Sequence, residues 1–115
     1  MISVLCRSVF LAKNLAQSSG MQTTVFIPDS NEVIQGKQWL ATCLRQHVIS
    51  VVFYEPYFFV DPAYFRSLSP NTRFVIISGP GEEVATTLAL SSGAVAVLHK
   101  PVNDGDFHGV LDFVC

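Results

Sequence analysis

Charge is scarce in this chain: only 14% of its 115 residues are Asp, Glu, Lys or Arg, and the net charge is −2. The seven Lys and Arg residues are scattered. Without a basic cluster there is no electrostatic footprint for direct nucleic-acid binding. No apolar stretch reaches bilayer-spanning length, and Met1 leads straight into a short apolar run with no charged region before it. Neither a membrane span nor a secretory leader is expected. The three cysteines, Cys6, Cys43 and Cys115, are odd in number and far apart. That argues against a disulfide framework and for a reducing cytoplasm. His47, His99 and His108 lack ligand spacing and partner cysteines, so no zinc site is expected. There is no P-loop, no dinucleotide fingerprint and no nucleophile elbow, and Gly79-Pro80-Gly81 is too short to cradle a dinucleotide. We therefore expect no enzyme, no metal and no cofactor.

What is present is apolar. Half of the residues are hydrophobic, enough for one compact domain over 1–115 with a real core. Ile2 to Leu5 reads as a strand. Ser8 is placed to cap a helix that carries Phe10, Leu11, Asn14 and Leu15 at helical spacing and ends near Ser18-Ser19-Gly20. Thr23 to Ile27 is β-branched and aromatic, and Pro28-Asp29-Ser30 breaks it. Ser30 or Asn31 caps a second helix with Val33, Ile34, Trp39, Leu40, Cys43 and Leu44 inward. Gly36 is a weak spot in that helix or places its start near Lys37. Val48 to Tyr54 is the most continuous apolar run and reads as a central strand. Asp61-Pro62 opens a helix to Leu68, Phe74 to Ile77 is another buried strand, and Glu82-Glu83 leads into a helix from Val84 to Ser92. Val95 to Leu98 is the fifth strand, and Asp104 to Val114 the last helix.

Five strands alternating with helices imply an α/β fold. A doubly wound five-stranded parallel sheet of order 2-1-3-4-5, layered between helices, is the expected topology. Such sheets place their chemistry beyond the carboxyl ends of the strands. The residues there are Cys6-Arg7, Glu55, Ser78 and Lys100, the last followed by Pro101. Lysine at the end of a buried strand is placed to meet an anion, and the X-Pro bond after it forces a defined turn.

The stretch Ser91-Ser92-Gly93-Ala94-Val95-Ala96-Val97-Leu98-His99-Lys100-Pro101 resembles the last third of the receiver domains of bacterial two-component response regulators, with a Gly-Ala pair leading to Lys-Pro. The layout of the whole chain is similar to that CheY-like, flavodoxin-like family. The resemblance implies an acidic pair at the end of strand one, a phosphorylated aspartate after strand three, a Ser/Thr after strand four and a lysine after strand five. Ser78 and Lys100 carry over, Glu55 falls at the phosphoacceptor position by register, and Cys6-Arg7 stands where the acidic pair belongs. Val97 holds the place of an aromatic that swings inward on activation in the family.

The departures carry the functional reading. Phosphoryl transfer to a carboxylate needs Mg²⁺ to neutralise developing charge, and Mg²⁺ needs hard oxygen ligands. Cys6 offers a soft thiol and Arg7 a cation. The expected function is a non-phosphorylatable regulatory and interaction module of a bacterial signalling protein or transcription regulator. Glu55 imitates a phosphorylated aspartate with its permanent charge, or is a partly exposed glutamate paired with Arg7 or Lys100. Arg7 replaces the divalent charge with its guanidinium, or is a surface residue. Ser78 bonds an anion, or caps the turn that follows. Two alternatives are a phosphoacceptor at an unusual site, such as Asp61 or a histidine, and an anion or nucleotide sensor using Arg7, Ser78 and Lys100. The expected partners are a second copy, through the face made by the fourth helix, fifth strand and fifth helix, and the chain's own output domain, since Phe113-Val114-Cys115 ends directly after a helix. Ala85, Ala89, Ser91 and Ser92 would let a second copy approach closely, or only pack their helix on the sheet. Tyr57-Phe58-Phe59 is expected as an exposed aromatic docking cluster.

Overall fold

The computed structural model describes residues 1–27 and 33–114. Capping by Ser30 or Asn31, the break at Pro28-Asp29-Ser30, and Cys115 lie outside the described residues, as do the side chains of Val33 and Ile34. The elements are β1 (Ile2–Leu5), α1 (Val9–Ser19), β2 (Thr23–Phe26), α2 (Val33–Gln46), β3 (Val51–Tyr54), α3 (Pro62–Arg66), β4 (Arg73–Ser78), α4 (Glu83–Ser92), β5 (Ala96–His99) and α5 (Asp104–Val114), with a 3₁₀ turn at Pro56–Phe58 before α3. The strands form one parallel sheet of order β2-β1-β3-β4-β5, the order expected.

Alternation along each strand divides the core into two layers. Leu5, Val52, Tyr54, Phe74 and Ile76 face one side, against Leu40 and Leu44 of α2, Phe65 of α3 and Ala89 of α4. Val4, Val51, Phe53, Val75 and Ile77 face the other, against Leu15 of α1 and Phe107 and Leu111 of α5. β1, β3 and β4 sit inside the sheet and are buried on both faces, whereas β2 is an edge and carries half-exposed threonines.

Local chemistry sets the helix ends. Ser8 Oγ accepts from Leu11 N at 3.2 Å, and Gly20 closes α1 in the left-handed region at φ 63°. Asp61 Oδ1 accepts from Ala63 N at 3.0 Å, with Pro62 in the first turn of α3.

Several expectations are corrected. α1 buries Ala12 and Leu15, while Phe10 and Asn14 are exposed, because the sheet meets the face one residue around. β3 begins at Val51; Val48 is exposed in the turn from α2, where Ser50 N donates to Met1 O at 2.9 Å. α3 stops at Arg66, and Leu68 lies in a tight turn in which its N–H bonds Phe65 O. Gly36 lies inside α2, and a Cβ there would come within 2.9 Å of the Phe58 ring and 3.3 Å of the Phe26 ring. It is a point of close packing rather than a helix start. The aromatic triplet after β3 is split: Phe58 is fully buried, Tyr57 half-buried, and Phe59 is 72% exposed.

Candidate functional site at the carboxyl ends of the strands

Four strands deliver their last residues to one place. Glu55 follows β3, and its N–H bonds the carbonyl of Leu5 at the end of β1, at 3.1 Å. This pairing sets Glu55 beside Arg7. Lys100 follows β5 and is held by its own N–H to Ser78 O at 2.8 Å; its peptide bond to Pro101 is cis.

Glu55 is the centre of the site and is 1% exposed. That corrects the expectation of a partly exposed glutamate paired with one cation. Both cations engage it, together with a backbone amide. Arg7 N donates to Oε1 at 2.5 Å, Arg7 Nη2 donates to Oε2 at 3.2 Å, and Lys100 Nζ donates to Oε2. Burial alone would raise the carboxyl's pKa. The hydrogen bond from Lys100, then those from the Arg7 side chain and backbone, outweigh it and hold Glu55 below the ordinary glutamate range. The same carboxylate pushes the Arg7 guanidinium up, and that group also lies over the Tyr57 ring at 4.9 Å.

Cys6 is fully buried, and its Sγ donates to the Ser8 carbonyl at 3.2 Å. Burial raises the thiol, so Cys6 is a neutral hydrophobic filler and not a thiolate ligand. Ser78 is buried, its hydroxyl 2.7 Å from that of Thr86. The turn after β4 is capped by Glu82 instead, whose Oε1 accepts from Gly79 N at 2.8 Å. This corrects the reading of Ser78 as the cap. Val97 is half-buried on β5 and packs against the core layer on the α2–α4 side. Asp61, named above as an unusual acceptor, is committed to capping α3.

The structure thus brings Cys6, Arg7, Glu55, Ser78 and Lys100 together. Three further residues were not read as part of this site. Glu82 has a legible signal, its three-residue spacing from Gly79 before a helix. Thr86 and Tyr57 have none, since only the tertiary fold brings them to Ser78 and Arg7. Among the described residues, no three His, Cys, Asp or Glu side chains cluster as a bound metal ion requires. The remaining donor chemistry, one carboxylate, one neutral thiol and two cations, fits an internal ion cluster. Lys100 and Ser78 also line a cavity of about 380 Å³ with Thr86 and His99.

Comparison with solved structures assigns the fold. The receiver domain of NtrX from Brucella abortus superposes over 99% of this chain and 97% of its own, with a TM-score of 0.77 and 18% sequence identity. A response regulator from Thermotoga maritima superposes over 98% of this chain and 94% of its own, with a TM-score of 0.69 and 18% identity. NtrX from Brucella abortus in complex with ADP matches 98% of this chain at a TM-score of 0.74 and 16% identity, and there the chain spans only 25% of the longer protein. No protein-family model and no curated protein matches the sequence. The fold is that of a receiver domain. Among the described residues, no helix is long and apolar enough to cross a membrane.

Proposed function

We propose that this chain is a receiver-like regulatory module that works by protein interaction and does not accept a phosphoryl group. One observation carries the reading: both oxygens of the buried Glu55 carboxylate are occupied by Lys100 and Arg7. The negative charge that phosphorylation would bring is already in place and already neutralised by fixed cations. A phosphoryl group would have to displace both donors, and Cys6 and Arg7 offer no hard oxygen ligands for a metal that would spread its charge. Glu55 thereby keeps Lys100 in one charge-paired arrangement, and the module signals through what binds its surface. Its output domain would lie in a wider protein; this chain matches only 25% of the length of the longer NtrX chain. The test is incubation with acetyl phosphate and Mg²⁺ followed by intact-mass measurement. No phosphoryl increment is expected. An increment that Glu55→Ala abolishes would overturn the proposal.

A second reading is self-association through α4, β5 and α5. The exposed apolar residues Val84 and Leu90 on α4 and Phe113 on α5 support it. Ala89 does not: it is buried against the sheet and is no point of approach for a second copy. Phe113→Glu is therefore the informative variant. Sedimentation over micromolar concentrations should show a dimer that Phe113→Glu weakens, and a strict monomer removes this reading.

A further inference from the structure

On the face of the sheet away from α1 and α5, between α3 and α4, lies a second cavity of about 400 Å³. Tyr54 and Ile76 line it from the sheet, Phe59 and Val60 from the segment before α3, and Ala85 and Leu88 from α4. It shares no residue with the Glu55 cluster.

Of the polar groups that line the cavity, one is buried and left without a partner. Tyr54 is 1% exposed, and its hydroxyl has no hydrogen-bond partner among the described residues. Buried hydroxyls are nearly always paired, because an unpaired one has lost its hydration without compensation. Phenylalanine would fill the same space without that penalty. Tyr54 also packs edge-on against Phe74, so its ring is held in place. Phe59 at the rim is the only non-glycine with positive φ among the described residues, at 48°, and this conformation leaves its large ring in solvent. Phe59 closes the 3₁₀ turn in this conformation, and non-glycine residues held in such sparsely populated backbone regions recur at ligand clamps.

We infer that this cavity is a binding site for a small, neutral, mainly apolar molecule that offers one hydrogen-bond acceptor to the Tyr54 hydroxyl. The size is that of small-molecule sites, and a mainly apolar lining with a few placed polar groups, here Tyr54, Asp61 and Ser92, is their usual construction. Asp61 lines the cavity and disfavours an anion. Burial, reinforced by the Asp61 charge, pushes the Tyr54 phenol far up, so it remains protonated and acts as donor.

The experiment titrates the 115-residue chain with two probes of the same shape, acetophenone and α-methylstyrene, which differ in a C=O against a C=CH₂ group, and follows backbone amide shifts by NMR. Saturable shifts centred on Tyr54, Val60, Ala85 and Leu88 are expected, with the ketone bound roughly tenfold more tightly through its extra hydrogen bond. Tyr54→Phe should erase that preference and leave the hydrocarbon's affinity unchanged. Ala85→Phe, which fills the cavity from its α4 wall, should remove binding of both probes. The inference is overturned by the absence of saturable binding, by shifts centred elsewhere, by equal affinity for the two probes, or by a ketone preference that persists in Tyr54→Phe.

Discussion

Lys100 Nζ donates to Glu55 Oε2 across the carboxyl ends of β5 and β3, two residues 45 apart in sequence. The two groups differ in environment: the carboxylate is 1% exposed, whereas the lysine side chain is 28% exposed and the Arg7 side chain 47%. Most of the desolvation therefore falls on Glu55. A buried charge of this kind is tolerated only while its partners stay. The cluster specifies an arrangement of the strand ends more than it adds stability, since a well-packed apolar substitute often does as well.

This asymmetry orders the effects of removing each cation. Lys100→Met leaves the buried carboxylate with Arg7 alone and should destabilise the fold by about 2–4 kcal/mol. Arg7→Ala should cost below about 1 kcal/mol, because the lost side chain is half-exposed and the backbone N–H of residue 7 still donates to Glu55. Urea unfolding of both variants checks the order, and an equal or reversed cost would contradict it.

The pH dependence has a definite sign. Glu55 in the folded chain lies below its ordinary value of 4.5, so its stabilisation is present in full above that value. It is lost as pH falls through the folded pKa. In Lys100→Met the burial effect gains weight against the remaining Arg7 contacts, and the carboxyl shifts upward. The stability gap between wild type and Lys100→Met should be widest near about pH 7 and should shrink as pH falls, because the variant's raised carboxyl takes up a proton first and loses its uncompensated buried charge. Melting curves at falling pH test it; a gap constant with pH would show that the pair's charge is not the cause.

The strand order was legible because β3 and β4 are uninterrupted apolar runs, which only a sheet covered on both faces accommodates. The topology then made the meeting of Arg7, Glu55, Ser78 and Lys100 legible as well, since parallel strands end on one side. The depth of Glu55 was not legible. It depends on Arg7 and Lys100 folding over the carboxylate from two other strand ends, and no local pattern records that. Phe10 misled for a related reason: an apolar residue in the first turn of α1 looks inward until the sheet's position selects Ala12 and Leu15. Ala89 and Gly36 show the limit of reading small residues. Each is small because something packs on it, the sheet in one case and Phe58 in the other.

Gly36→Ala should therefore destabilise the protein although it improves helix propensity by about 1 kcal/mol. The added methyl would meet the Phe58 ring at 2.9 Å, and Phe58 is fully buried with no room to withdraw. Overpacking of this kind costs about 1–3 kcal/mol, so a net loss of about 1 kcal/mol is expected. A lowered urea midpoint checks it. A gain would mean that the Phe58 ring moves freely.

Cys6, a neutral side chain beneath the strand-end cluster, reports on how firmly the cluster's charges hold the end of β1. Its thiol is fully buried beneath Arg7 and Glu55, donates to the Ser8 carbonyl, and is pushed up chiefly by burial, with the Glu55 charge adding to the rise. Only the thiolate reacts with iodoacetamide, so low thiolate content and closed access both protect it. In a Cys115→Ser background, Cys6 should be alkylated in the folded chain at least about a hundredfold more slowly than in urea, since reaction must wait for local opening. Lys100→Met loosens the cluster and should accelerate alkylation of Cys6 clearly more than that of Cys43, which is buried on α2 away from the strand ends. Peptide mass mapping after timed quenching separates the two sites. Equal acceleration of both would point to global unfolding. No acceleration of either would mean that the Glu55–Lys100 pair does not hold the end of β1 closed.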